Sequence, residues 1–273
     1  MKPEVTLMGA GSDRTEVILE GTGLYTIIDA DNCRIQGLTI INSDAAGTRS
    51  AIFAESNNSK ITHCTLRGSY EGILITGKNI EISNSIVVNN DAGIRNNGSN
   101  SKIYNNTIMH NRNGGILGNG ANATIKNNIV ISPVQVLSDA AFQNNNVFER
   151  TNYSTQPSHL PDQTGINGNI SLDPLFVNAA AGDYRLSINS PCINAGSDVG
   201  IPANGFSDIG AFEYNGTGII RVESNHSNST FTITGPQNYT GSGIGWSSSN
   251  VPIGIYGCRL DFTLRDPIYA ALA

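Results

Sequence analysis

The sequence predicts an all-β protein built mainly as a parallel β-solenoid, and three observations carry that reading. A short unit recurs: Lys60-Ile61-Thr62-His63-Cys64-Thr65-Leu66, then Glu81-Ile82-Ser83-Asn84-Ser85-Ile86-Val87, Lys102-Ile103-Tyr104-Asn105-Asn106-Thr107-Ile108 and Thr124-Ile125-Lys126-Asn127-Asn128-Ile129-Val130, with an earlier copy opening at Arg34-Ile35-Gln36. The lead isoleucines Ile35, Ile61, Ile82, Ile103 and Ile125 stand 26, 21, 21 and 22 residues apart. A fixed period of this size belongs to arrays in which each unit buries its apolar face only against its neighbours. Apolar and polar residues alternate over runs too short for a helix, and almost every run ends in Asn, Gly or Ser, which accept turn and left-handed conformations.

Each copy supplies three strands. Stacking places Ile35, Ile61, Ile82, Ile103 and Ile125 in one interior column. Ile40, Leu66, Val87, Ile108 and Val130 form a second, and Ile52, Ile73, Ile94 and Ile116 a third. Asparagine occurs 34 times, concentrated between Asn57 and Asn146. Asn84, Asn105 and Asn127 recur at one bend, where stacked amides are expected to bond coil to coil. His63 and Gly37 interrupt that row. Cys64 falls in a column where other coils carry Leu38 or Ser85, so it reads as a buried free thiol. Cys33, Cys64, Cys192 and Cys258 show no paired spacing for a metal site and no visible disulfide framework.

These repeats resemble the right-handed parallel β-helix, or pectin lyase-like, superfamily over roughly Val5 to Val147. The fold expected is therefore a right-handed, single-stranded parallel β-helix across residues 1–147. After Val147 the period stops. Asp173-Pro174-Leu175-Phe176-Val177, Gly182-Asp183-Tyr184-Arg185-Leu186, Ser190-Pro191-Cys192-Ile193-Asn194-Ala195-Gly196 and Asp208-Ile209-Gly210-Ala211-Phe212-Glu213-Tyr214 follow in order. This set is similar to the choice-of-anchor Q domain, which in bacterial and archaeal surface proteins typically follows a β-helix. Residues 148–215 are therefore expected to close the open end of the solenoid with short strands, since bare edges invite aggregation. From Gly218 onward, alternating strands separated by Gly-Pro and Gly-Ser turns predict a small β-sandwich-like module over 216–273, similar to the PEGA-like modules of surface proteins and shorter than they are.

Composition narrows the function. Only 14% of residues are charged and the net charge is −6, so the chain lacks the basic footprint of a nucleic-acid binder. The longest apolar runs, such as Ile129-Val130-Ile131, are strand-sized and far short of a transmembrane span. Abundant Asn, Ser, Thr and Gly fit an extracellular or cell-surface location. Repeat-like sequence begins directly after Met1 with neither a cap nor a signal peptide, so the chain reads as an excerpt. Nothing in it sets an oligomeric state.

Catalysis on this fold needs a base beside a cation, or a carboxylate pair. Here Glu55, Glu71, Asp91, Arg95, Lys102, His110 and Arg112 are read as scattered singly, so no catalytic residue is nominated. No cofactor is expected; calcium, which takes carboxylate oxygens, would have to draw on Asp173, Asp183 and Asp208, which read better as turn caps. A polar stripe along the third column, comprising Phe53, Glu55, Thr76, Arg95, Asn97 and Asn119, is the candidate glycan-binding surface. The function expected is thus non-catalytic binding of a polysaccharide or cell-surface glycan, or service as an adhesive or structural stalk. The alternative is a polysaccharide lyase or uronate epimerase acting on acidic polysaccharide.

Overall fold

The computed structural model describes residues 1–9, 17–42, 49–137, 139–148, 153–197, 207–214, 217–223, 229–234, 238–252 and 257–261. Three parallel sheets run along the solenoid. The first stacks Thr6–Met8, Arg34–Gln36, Lys60–Thr62, Glu81–Ser83, Lys102–Tyr104, Thr124–Lys126 and Ala141–Gln143. The second stacks Ile18–Gly21, Thr39–Asn42, Thr65–Arg67, Ile86–Val88, Thr107–Met109, Ile129–Ile131 and Asn146–Val147. The third stacks Tyr25–Ile28, Ser50–Ala54, Glu71–Ile75, Ala92–Asn96, Gly114–Leu117 and Val134–Gln135. All three interior columns are in the expected register: Ile82 pairs with Ile61 and Ile103, Val87 with Leu66 and Ile108, and Ile94 with Ile73 and Ile116. These side chains are fully buried in one continuous core.

Strands this short bend sharply, and the bends explain the asparagines. Gly37, His63, Asn84, Asn105, Asn127 and Asn144 all have φ between +49° and +68°, a conformation that Gly and Asn accept most readily. At this bend asparagine serves the backbone. The buried amide ladder lies one residue further on. Asn106 donates from Nδ2 to Oδ1 of Asn128 at 3.0 Å, Asn128 to Asn145 at 3.0 Å, and Asn145 to Asn169 at 3.2 Å. Each Oδ1 also accepts the backbone N–H of the coil before it: Ser85 N to Asn106, Asn106 N to Asn128, and Asn128 N to Asn145. The row assigned from sequence to Asn84, Asn105 and Asn127 is corrected accordingly. Asn105 is buried with both amide atoms unpaired, and Asn127 turns outward to hold Ser197. A second buried row runs Asn42, Ser69, Asn90, Asn111 and Ser132 in the same way.

The solenoid end after Val147 is closed by residues 153–170. Tyr153 bridges to Val134, its ring meets Phe142 edge-on at 6.1 Å, and Tyr153 and Leu160 complete the core. Residues 171–197 and 207–214 lie along the side. Tyr184, Phe176 and Ala211 pack on Ile86, Val88 and Met109, while Leu186, Cys192 and Ile209 pack on Ile129. These second-sheet residues face outward, so the strands from Ile86–Val88 to Ile129–Ile131 are covered on both faces, as the continuous runs Ile86-Val87-Val88 and Ile129-Val130-Ile131 require. Asp173 and Asp208 accept backbone N–H bonds within this segment, and Asp183 pairs with Arg185. Cys33, Cys64 and Cys192 are buried free thiols. Burial pushes the Cys192 thiol up to about 11. The side chain of Cys258 lies outside the described residues.

The chain divides into two compact units, Met1–Gly200 with Phe206–Tyr214, and Ile201–Gly205 with Asn215–Ala273. In the second unit Thr217–Glu223 pairs antiparallel with Gly245–Pro252, and Thr230–Thr234 lies between Tyr239–Ser242 and Gly257–Asp261. Val222, Phe231 and Ile233 form its small core with Tyr239 and Trp246.

Candidate functional site

The outer face of the third sheet carries the stripe expected from sequence. Period-two alternation turns Phe53, Leu74, Arg95 and Leu117 outward from the column of Ile52, Ile73, Ile94 and Ile116, and these outward residues are in register from coil to coil. Ile28 continues the row ahead of Phe53. The ring of Tyr25 stacks on Phe53 with centroids 4.4 Å apart and planes 22° from parallel. Tyr25, Phe53 and Leu74 are half-exposed and form an apolar floor, bounded by exposed Ile28 on one side and by Arg95 and buried Leu117 on the other. Glu55, Thr76, Asn97 and Asn119 are exposed just beyond the strand ends and form a polar rim beside it. That rim is fixed by its backbone: Glu55 N and Ser56 N both donate to Asp29 Oδ1 at 3.0 Å, and Thr76 N and Asn97 N donate to carbonyls of the preceding coil.

Arg95 is differently placed from what its isolation in the sequence suggested. Its Nε donates to the buried carboxylate of Glu71, whose second oxygen accepts from Ser50 Oγ at 2.9 Å. Glu71 heads its strand where the following glycine, Gly72, fits tightly: a Cβ there would meet Val87 at 2.7 Å. The strand start is therefore pinned, and the carboxylate is held under the guanidinium. Arg95 and Glu71 neutralise one another, which leaves Glu55 as the uncompensated charge among the stripe residues. Such a face presents an apolar surface beside exposed hydroxyl, amide and carboxylate groups, with Arg95 paired to Glu71. The pairing was hidden in the sequence because Glu71 and Arg95 are 24 residues apart; the coil period plus the offset along the strand is the signal that links them.

The first sheet has a different outer face. Arg34, Lys60, Glu81, Lys102 and Thr124 stack in register, and Gln36, Thr62, Ser83, Tyr104 and Lys126 form the neighbouring outward column. Lys60 Nζ meets Glu81 Oε2 at 3.1 Å, and Tyr104 donates its hydroxyl to Glu81 Oε1 at 2.7 Å. Partial burial acts to raise the Glu81 carboxyl, but the bonds from Tyr104 and Lys60 and the charge of Lys102 hold it below the usual glutamate value. Burial and the Glu81 carboxylate push the Tyr104 phenol up to about 12. Among the described residues, no group of three or more His, Cys, Asp or Glu side chains is arranged to hold a metal ion.

Three parallel sheets, one strand of each per coil, buried isoleucine columns and asparagine at the bends are the geometry of a parallel β-helix. The chain matches the family described as the right handed beta helix region over residues 23–171, more than half of its length. It belongs to that family. No curated protein matches this chain. Among solved structures, the crystal structure of pectate lyase Pel9A is similar with a TM-score of 0.45 at 17% identity, over 67% of this chain and 60% of that one. The chain thus spans less than two thirds of that protein's length. No helix among the described residues is long and apolar enough to cross a membrane.

Proposed function

We propose that this β-helix binds an extended, uncharged glycan along the outer face of its third sheet and does not cleave it. The observation that carries the reading is the stacked Tyr25–Phe53 pair, continued by Leu74 and flanked in register by Glu55, Thr76, Asn97 and Asn119. Sugar rings present an apolar face and a rim of hydroxyls, and this strip presents the complementary arrangement. The internal neutralisation of Arg95 by Glu71 argues against a uronate at that position. The resemblance of Leu172–Tyr214 to the choice-of-anchor Q domain and the low charge of the chain support display outside the cell, with the solenoid holding its glycan face away from the surface.

The test is a glycan array followed by titration of the best neutral oligosaccharide. Phe53→Ala should weaken binding about tenfold, as expected for one lost stacking contact, with unchanged thermal stability of the coil core. Incubation with pectate, alginate or hyaluronate, with and without calcium, should release no unsaturated uronate and no new reducing ends. Turnover on any of them, or wild-type affinity in Phe53→Ala, would overturn the proposal.

A further inference from the structure

The outward column of the third sheet runs Ile28, Phe53, Leu74, Arg95 and Leu117, one residue per coil and in register. Arg95 is the cation of this row, set between a half-exposed and a buried leucine. Glu71 takes the Arg95 Nε–H and so holds the guanidinium in place. The two terminal nitrogens carry four further N–H donors. Among the described residues no hydrogen bond uses them. Asn97 stands two positions further along the chain, just past the strand end, and is exposed. Its Oδ1 accepts Asn119 N–H at 3.5 Å, and the oxygen keeps a second lone pair. Within one coil step the face therefore gathers a held donor fork, an exposed amide acceptor and the apolar surface of Leu74.

We propose, resting on the glycan reading of this face, that the sugars it takes are N-acetylated: an acetamide carbonyl accepts from Arg95, its N–H donates to Asn97 Oδ1, and its methyl lies on Leu74. An acetamide offers the complement of all three groups. Its carbonyl and N–H point in opposite directions, so it bridges a donor on one side to an acceptor on the other. Two hydrogen bonds of about 2.9 Å and the acetamide's own width make a span of roughly 8 Å. Side chains rooted two residues apart on an extended chain, about 6.5–7 Å, reach across that span. A hydroxyl at the same ring position is too short to meet both partners and brings no methyl to the leucine. Phe53 lies two coils from Arg95, about 10 Å at parallel strand spacing, so the acetamide belongs to a sugar further along the chain than the ring stacked on Phe53. Glu71 is the positioning residue. It balances the guanidinium charge and fixes the fork, so a neutral acceptor is matched to a neutral pair.

The experiment uses the full chain and two neutral probes that differ in the 2-substituent alone, β-1,4-linked tetramers of N-acetylglucosamine and of glucose. Both are placed on an array with other neutral glycans and then titrated. The acetylated tetramer should bind about tenfold to a hundredfold tighter, the range for a hydrogen bond to a charged donor. Arg95→Leu combined with Glu71→Gln removes the fork without leaving a buried carboxylate unpaired, and should abolish the difference between the tetramers. Asn97→Ala, on the exposed bend, should narrow the difference about threefold to tenfold, whereas Asn97→Asp keeps an acceptor and should preserve it. Melting curves matching the parent check that each variant is folded. Equal affinity for the two tetramers, or a difference that survives in both the Arg95→Leu/Glu71→Gln and the Asn97→Ala variants, overturns the acetamide assignment. Phe53→Ala should weaken both tetramers alike. An array without any neutral binder overturns the third-sheet reading itself, whereas neutral binders indifferent to the acetyl group overturn the acetamide assignment alone.

Discussion

Replacing Asn106 with Leu tests the amide ladder at its best-connected rung. Asn106 Oδ1 accepts Ser85 N–H at 3.0 Å, while Nδ2 reaches the carbonyls of Ile82 and Tyr104 and the Oδ1 of Asn128, each at 3.0 Å. Leucine is of similar size but makes none of these bonds. The Ser85 N–H then has no acceptor in a fully buried position, at about 1–3 kcal/mol, and the lost Nδ2 bonds add about 1 kcal/mol each. Burying the leucine returns about 1.5–3 kcal/mol. The net loss is roughly 1–4 kcal/mol, which in a unit of this size lowers Tm by roughly 2–15 °C. Asn106→Ser should recover about half, because the hydroxyl still accepts Ser85 N–H, as Ser85 Oγ accepts Cys64 N at 3.1 Å. The control is Asn105→Gly. That bend keeps its left-handed backbone with glycine, as Gly37 does, and the lost amide had no partner. Melting followed by circular dichroism should place Asn105→Gly within a few degrees of the parent. If Asn105→Gly falls as far as Asn106→Leu, the ladder has been placed on the wrong residue.

Ile103→Asp would put a carboxylate between Ile82 and Ile125 and should cost about 4 kcal/mol or more, seen as a collapse of Tm or loss of soluble protein. Arg95→Ala leaves the buried Glu71 carboxylate with Ser50 as its remaining partner. A loss of about 1–3 kcal/mol is expected, reduced from the value for a fully buried pair because Arg95 is a third exposed; Glu71→Gln combined with Arg95→Ala should recover part of it. Glu81, whose folded pKa is depressed, adds stability that is present above its unfolded pKa and lost as pH falls through the folded value. Glu81→Gln should therefore show a shallower fall in Tm than the parent between neutral pH and about pH 3.

The interior was legible because a buried column admits few residue types. Ile61, Ile82, Ile103 and Ile125 announce their register by identity and spacing alone. The asparagine rows were legible only to within one residue. Asn105-Asn106 and Asn127-Asn128 are adjacent, and sequence cannot tell which amide points inward and which accepts the left-handed bend. The sharper signal was Cys64 and Ser85, small interior residues in the same column as Asn106. The covering of the second sheet was announced by Ile86-Val87-Val88 and Ile129-Val130-Ile131, where alternation gives way to continuous apolar residues. The charged faces were the least legible. Glu71 with Arg95, and Lys60 with Glu81, meet across coils, and ion pairs at that separation emerge only when side chains are assigned to the inside or the outside of each strand.

The coil period also makes the molecule a ruler. About 21 residues advance the axis by one strand spacing, near 4.8 Å, and every face repeats at that step. Duplicating or deleting a whole coil would lengthen or shorten both outer strips by one step while leaving the bends, ladders and columns in phase. Any other insertion within a strand would slip the interior against its neighbours. Growth in such a protein is therefore quantised, and the number of coils sets the length of every outer face.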